Sequence, residues 1–292
     1  MKIDRSVSAW SSFPHIETAE ELEEYLKIRP RGHSGYYHYT SLAAINGILN
    51  DGFCISSVDR FNDVTEKDIF KGQEKKYYSL CFSTGVQENL ALWYLYSGPG
   101  GKGGRLQFTY NSVQKLLHST FKLVEYDYDR HTVIQEIATL TEENASVCLG
   151  DVMYADPAKR KPQFMDMKYN TMTNRETFSV DQWESFKAKH RGFQKAQIWY
   201  YEKETRILVE LSDALYNTLD STKSYGVILK IPPEVLRYTK VRFAPNIHLL
   251  DAKEIDDYPI DCLGITTLHN VPDYSSHRNP RQNRHCTMQQ YR

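Results

Sequence analysis

Three ionisable side chains recur at every second position in Trp199-Tyr-Tyr-Glu-Lys-Glu-Thr-Arg-Ile-Leu-Val209: Glu202, Glu204 and Arg206. If this segment is extended, alternation places all three on one face, with successive members about 6.5–7 Å apart. Two carboxylates and a guanidinium in that arrangement are costly to bury unless paired. One reading is an ion-pair ladder on an edge strand. The other is a catalytic carboxylate with a neighbouring acid and an orienting arginine, because strongly perturbed charged groups gather at active sites.

Two further groups carry chemistry by type and spacing. In Tyr36-Tyr-His-Tyr-Thr40, a strand puts His38 and Thr40 on one face and Tyr37 and Tyr39 on the other. A His/Thr face at a strand end can offer hydrogen bonds to a ribose; a structural histidine is the plainer alternative. In Glu88-Asn-Leu-Ala-Leu-Trp-Tyr-Leu-Tyr96, helical spacing places Asn89, Trp93 and Tyr96 together and Leu92 and Leu95 nearer the core. A Trp and a Tyr beside an amide can stack on a flat ring such as nicotinamide or a base, and core packing would use the same rings. The glycine-rich run at 97–104 is not a phosphate-binding P-loop. Gly103 follows Lys102 where Ser or Thr is needed, and a strand comes next instead of a helix. A mobile connector, or a flap facing the substrate, is expected there.

The elements that must position these groups follow from periodicity and punctuation. A lead-in at 1–31 contains a helix at 18–27, with Thr18 as cap and Glu21 in capping-box position. A strand at 35–40 runs into a helix at 41–50, capped by Thr40 or Ser41 and stopped by Gly52. Strands are expected at 53–57 and 76–83, with a turn at Arg60-Phe-Asn-Asp63 between them. A strand at 105–110 and helices at 113–123 and 133–141 follow. Next come a short strand at 152–154, a helix at 182–197, and strands at 198–211, 225–231 and 241–250. Strands and helices mixed without steady βαβ alternation predict the α+β class. The chain reads as one domain over 1–292: lead-in, core at 32–273, and a basic tail at 274–292. That tail holds Arg278, Arg281, Arg284 and Arg292 and no acid; it is expected to be a solvated end, or a contact for nucleic acid or an acidic partner.

Composition excludes several classes. A formal charge of -1 argues against a dedicated duplex-DNA binder. The 21 tyrosines and 12 phenylalanines favour strands, interfaces and stacking surfaces. The 5 cysteines are scattered without a CxxC pair, which speaks for a reducing compartment and against a disulfide framework or a zinc cluster. Met1-Lys-Ile-Asp-Arg5 leads into no apolar signal-peptide region. No apolar run approaches the roughly 20 residues that span a bilayer. A cytoplasmic protein without membrane contact is expected.

In order along the chain, Tyr37-His-Tyr-Thr40 with Ile48-Leu49, Arg60-Phe-Asn-Asp63 with Glu66, Cys81-Phe-Ser83, Leu92-Trp93 with Tyr96, and Trp199 with Glu202, Glu204 and Arg206 resemble a mostly bacterial family of uncharacterised domains. That family in turn looks like the ADP-ribosyltransferase superfamily. The resemblance implies a split β-sandwich core with flanking helices around a cleft for NAD, which is the substrate. It implies that His38 contacts an NAD ribose and that Glu204 (or Glu202) is the late-strand carboxylate. Cys81-Phe-Ser-Thr84 resembles the superfamily's Ser-Thr-Ser strand, bringing Ser83 and Thr84 to the site, while Tyr94 and Tyr96 are candidates for the ring that holds nicotinamide. Tyr39, Thr40, Trp93 and Arg206 complete the implied NAD-contacting set. The implied reaction breaks the nicotinamide–ribose bond and passes ADP-ribose to a macromolecular acceptor, protein or nucleic acid, in a toxin or antiphage-defence setting. A fixed carboxylate would stabilise the oxocarbenium-like transition state, and Glu202 would activate the acceptor. NAD hydrolysis, and a non-enzymatic nucleotide-, RNA- or protein-binding module with a degenerate cleft, are the alternatives.

Overall fold

Alternation in Tyr36-Tyr-His-Tyr-Thr-Ser41 produces β1 (Tyr36–Ser41), and the chain turns directly into α1 (Leu42–Asp51). The Ser41 side chain caps α1 by accepting from the Ala44 N–H at 3.2 Å. Gly52, at φ 98°, ends the helix as expected. The computed structural model describes residues 29–84, 89–98, 103–155, 164–166, 171–173, 181, 185 and 188–244. The expected helix at 18–27, the middle of the glycine loop and the basic tail with Arg278, Arg281 and Arg284 lie outside the described residues.

The remaining elements are β2 (Phe53–Ser56), α2 (Val64–Asp68), β3 (Tyr77–Ser83), α3 (Leu90–Tyr96), β4 (Gly103–Phe108) and α4 (Tyr110–Leu117). Then come β5 (Phe121–Asp127), β6 (Thr132–Leu140), β7 (Ala145–Asp151), β8 (Met153–Ala155), β9 (Phe164–Asp166), β10 (Thr171–Thr173) and β11 (Gln194–Ala196). A 3-10 stretch (Gln197–Glu202) leads into β12 (Glu204–Leu211), followed by α5 (Asp213–Tyr216), β13 (Tyr225–Leu229), α6 (Pro233–Leu236) and β14 (Lys240–Phe243). A six-stranded sheet runs β14-β4-β1-β3-β12-β7, and a four-stranded one runs β2-β13-β5-β6. Every pairing within these two sheets is antiparallel; the short β8–β11 pair is parallel. Several antiparallel sheets with a few short helices make the protein α+β, as expected. No helix among the described residues is long and apolar enough to cross a membrane.

One main core lies between the two sheets. Tyr36, Phe82, Leu106, Phe108, Ile207 and Val209 from the larger sheet meet Phe53, Ile55, Leu123, Val227 and Leu229 from the smaller, with Ile45 and Ile48 of α1 and Val113 and Leu116 of α4. Each such side chain contributes about 1.5–3 kcal/mol by leaving water. The opposite face of the larger sheet carries polar and charged groups, and the site is built there.

Four element expectations are corrected. Residues 132–140 form β6, not a helix: Thr132, Val133, Ile134, Ile137 and Thr139 are β-branched, and β5 offers an open edge to pair with. The helix expected at 113–123 is α4, which stops at Leu117, because Phe121-Lys-Leu-Val124 alternates into β5. The helix expected at 182–197 gives way to β11 at its end, and the strand expected at 198–211 begins only at Glu204. Its first residues instead make the 3-10 stretch. Lys203, at φ 48° in the left-handed region, reverses the chain between the two.

Candidate functional site

The larger sheet's register decides which side chains share a face. Glu204 stands opposite Ser83, and Ser83 opposite Tyr37. Arg206 stands opposite Cys81 on one side and Gly150 on the other. Directly opposed residues in an antiparallel pair point the same way, so Glu204, Arg206, Ser83, Cys81, Tyr37 and Tyr39 occupy the face away from the main core.

The spacing predicts that Glu202 and Glu204 alternate along one strand; they do not, yet both reach the same cation. Glu202 ends the 3-10 stretch, Lys203 takes the left-handed turn, and Glu204 opens β12. Both carboxylates then meet Lys195 of β11, whose Nζ lies 2.5 Å from Glu202 Oε2 and 2.9 Å from Glu204 Oε1. Arg206 donates through Nε to Glu204 Oε2 at 2.6 Å, and through its Nη atoms to both oxygens of Glu66 on α2. Its Nη1 also donates to the Gly192 carbonyl at 2.8 Å. That carbonyl is presented by a backbone at φ 91°, where a Cβ would also stand 2.8 Å from Leu208 Cδ2. Glu66, Lys195, Glu202, Glu204 and Arg206 are all buried, Glu202 and Arg206 at 1% exposure.

Three carboxylates face two cations, so one negative charge is in excess, and burial makes that excess expensive. The proton that relieves it belongs on Glu202. Burial and the hydrogen-bonded contact with Glu204 push the Glu202 carboxyl up to about 8, against the pull of Lys195. Burial acts the same way on Glu204, but Arg206 and Lys195 outweigh it and hold that carboxyl well below the usual carboxylate range. Glu66 is raised by burial, partly offset by Arg206. Burial pulls Lys195 down, yet its carboxylate neighbours, Glu204 first, more than compensate and keep it protonated. Adjacent carboxylates with opposed ionisation are the arrangement that separates an acid from a base.

An open cleft of about 650 Å³ adjoins this cluster, lined by Asn62 to Thr65 and by Ala196, Gln197, Ile198 and Trp199. Lys195 Nζ sits 4.8 Å above the Trp199 ring. Asp63 caps α2 through Oδ1, accepting from the Thr65 N–H at 2.9 Å, while its buried Oδ2 has no hydrogen-bond partner among the described residues. Asn62 Nδ2 donates to the Tyr96 hydroxyl at 3.1 Å, which donates to Glu202 Oε1 at 2.6 Å. The cleft wall is thereby joined to the buried carboxylates.

The other expected site residues divide. Ser83 lies beside Glu204, and Thr84 binds the Lys203 carbonyl through both its N–H and Oγ1 at 2.9 Å. Tyr39 is on the site face, but its hydroxyl accepts from Arg105 and its ring meets Trp93 edge-on at 4.8 Å. Trp93 is therefore packed into a small buried cluster with Tyr37, Tyr39 and Leu92, and presents no ring to the cleft. Tyr94 is exposed on the other side of α3. Arg206 is consumed by Glu66, Glu204 and Gly192. The grouping of His38 with Thr40 holds, but their face is the core: His38 packs edge-on against Phe53 and Phe82, and its Nδ1 bonds the Cys81 carbonyl at 3.0 Å. Burial lowers its pKa and keeps it neutral. His38, half-buried, and Glu204 thus stand on opposite faces of one sheet, and the two are not brought together.

Sequence reasoning missed Lys195 altogether and saw Glu66 only as part of a motif. Charge counting could have called for a further cation, though not for Glu66: two acids and one arginine in a buried segment leave one negative charge unpaired.

A family model described as "Protein of unknown function (DUF2971)" matches residues 92–207, a stretch that contains Trp93, Tyr96, Lys195, Glu202, Glu204 and Arg206 but stops short of His38 and Glu66. No curated protein and no solved structure matches the chain.

Proposed function

We propose that this chain is an ADP-ribosyltransferase-like enzyme, with a split β-sandwich around its site, that cleaves the nicotinamide–ribose bond of NAD and passes ADP-ribose to a macromolecular acceptor. The observation that carries the reading is the Glu202–Glu204 pair: two carboxylates on one lysine, with opposed ionisation, joined through Tyr96 to an open cleft. An ionised carboxylate held rigidly by Arg206 and Lys195 is suited to stabilise positive charge developing on a ribose. Its raised neighbour, Glu202, is suited to take the acceptor's proton once it has ionised, as the pH approaches about 8. The exposed apolar rims of the cleft, Val64 and Ile198 at 68% and 78% exposure, favour a macromolecular acceptor over a small one. The identity of the donor as NAD comes from the resemblance alone. With His38 on the core face, this reading assigns the ribose contact beside Glu204 to Ser83, which stands directly opposite it, while Thr84 is held by the Lys203 carbonyl.

A specific observation supports a second reading. Glu204 and Arg206 are each fully engaged by protein partners, as in an ion network that fastens α2 and β11 to the sheet. Under that reading the cleft binds a ligand without turning it over. Incubating the protein with labelled NAD, with and without cell lysate, separates the two. Nicotinamide release and label transfer by the wild type, both lost in Glu204→Gln, are the expected results. NAD left intact while the Glu204→Gln protein keeps its fold would leave the binding module.

A further inference from the structure

Tyr96 is placed differently from a ring that merely stacks. Its hydroxyl donates to Glu202 Oε1 at 2.6 Å and accepts from Asn62 Nδ2 at 3.1 Å. Asn62 lines the cleft. Tyr96 itself is 36% exposed, whereas the carboxylate it touches is 1% exposed. The hydroxyl therefore links the buried Glu202 carboxyl to Asn62 of the cleft wall, and its two bonds are polarised in the same direction, from Asn62 to Tyr96 to Glu202.

We infer that Tyr96 relays protons between a ligand in the cleft and Glu202. The inference rests on the proposed reading of the site. In the transfer step a lone pair of the acceptor's O–H or N–H group forms a bond to the ribose carbon. The carbon–nitrogen bond to nicotinamide breaks, and its electron pair stays on the ring nitrogen, giving neutral nicotinamide. The step runs through the ionised form of Glu202, which gains population as the pH approaches about 8: the acceptor's proton passes to the Tyr96 oxygen while the proton of Tyr96 passes to Oε1 of the Glu202 carboxylate. The charged and titratable groups around this path are fixed. Glu202 faces Lys195 from β11, Glu204 from β12, Tyr154 from β8 and Tyr201 from its own 3-10 stretch, with Arg206 and Glu66 behind them. Lys195 keeps its proton among three carboxylates and is excluded as the relay. Burial and the adjacent Glu202 keep Tyr96 a phenol, able to donate.

Tyr96→Phe keeps the ring and deletes the relay. Two readouts on the full chain test it: the carboxyl carbon-13 titration of glutamate-labelled protein, with the Glu202 signal assigned from Glu202→Gln, and the pH profile of label transfer from NAD. Loss of a hydrogen bond to the ionised carboxylate should move the Glu202 midpoint upward. Transfer should fall about 10²-fold or more, with its rising limb displaced in step with the midpoint. An unmoved midpoint overturns the inference, as does a moved midpoint with undiminished transfer. Absence of NAD turnover by the wild type would instead bring down the proposed reaction and the relay with it, a failure distinguishable from an unmoved midpoint. Should Tyr96→Phe not fold, Asn62→Ala leaves ring and hydroxyl in place and should give a smaller shift in the same direction.

Discussion

Arg206 on β12 grips both carboxylate oxygens of Glu66 on α2, a pairing that spans 140 positions of the chain inside the protein. Breaking a buried pair leaves an uncompensated charge, which costs about 3–5 kcal/mol. Glu66→Ala and Arg206→Met should each destabilise by that order in denaturant melts. The double variant Glu66→Leu/Arg206→Met should lose less than the sum of the two, since neither charge is stranded. Additive losses would mean that the two side chains do not meet in solution.

Stability should depend on pH through Glu202 in a defined window. Its carboxyl is raised in the folded state to about 8, whereas an unfolded glutamate titrates at about 4.3. Between those values the folded chain holds a proton that the unfolded chain has lost. The stabilisation from this group is therefore complete below the unfolded pKa and is lost as pH rises through about 8, with a slope of up to about 1.4 kcal/mol per pH unit from one proton. Glu204 has the opposite sign, but its contribution is lost only as pH falls far into acid. Glu202→Gln should flatten the decline between pH 5 and 8. A wild-type profile already flat there would refute the placement of the proton.

Lys195 is the cation shared by the pair, and its two substitutions should separate charge from shape. Lys195→Met leaves three buried carboxylates against Arg206 alone, and should destabilise by about 3–5 kcal/mol, with partial recovery as the pH is lowered and carboxylates protonate. Lys195→Arg keeps the charge but brings a planar fork to a position that a compact ammonium fills, so its loss should be smaller and nearly independent of pH. Equal losses in the two variants, with the same pH dependence, would show that the charge is not what Lys195 supplies.

How much of this was legible beforehand depends on the range of the interaction. β1, α1 and β2 follow from local alternation, the Ser41 cap and Gly52, and all three are as expected. The convergence of Glu202 and Glu204 was legible as spacing, although Trp199-Tyr-Tyr201 has strand composition and forms a 3-10 stretch; tertiary packing of Trp199 and Tyr200 on Val152 and Tyr154 overrides propensity there. Lys195 was invisible because one lysine in a polar segment carries no periodic signal. The face occupied by His38 was undecided for a different reason. Alternation groups His38 with Thr40 but does not say which of two faces meets the core, and Tyr37 and Tyr39 are apolar enough to have been either.

Lys203 holds the turn that brings the carboxylates together, at φ 48°, which costs a non-glycine residue roughly 1–2 kcal/mol. Lys203→Gly should relieve that cost and leave the fold at least as stable, after the added freedom of glycine in the unfolded chain is offset. Lys203→Val should destabilise by about 1–2 kcal/mol, because a β-branched residue is poorly tolerated in the left-handed region. It should also uncouple Glu202 from Glu204, visible as a fall of the Glu202 titration midpoint toward the ordinary range. Equal stability for the glycine and valine variants would mean that the backbone at this position is extended.

His38 gives the sharpest contrast between what a motif implies and what a face dictates. A histidine that touches an NAD ribose would, when truncated, cost ligand affinity and little stability. His38 instead fills space between Phe53 and Phe82 and bonds the Cys81 carbonyl, so His38→Ala should cost about 2–4 kcal/mol of folding free energy through the cavity and the lost hydrogen bond. Burial lowers its pKa, so its stabilisation is present above the unfolded value of about 6.5 and is lost as pH falls through the folded one. His38→Phe, which restores bulk without a titrating group, should recover part of the loss and remove that acid-side sensitivity. A His38→Ala protein as stable as the wild type but unable to bind nucleotide would return His38 to the site and require the face assignment of β1 to be reversed.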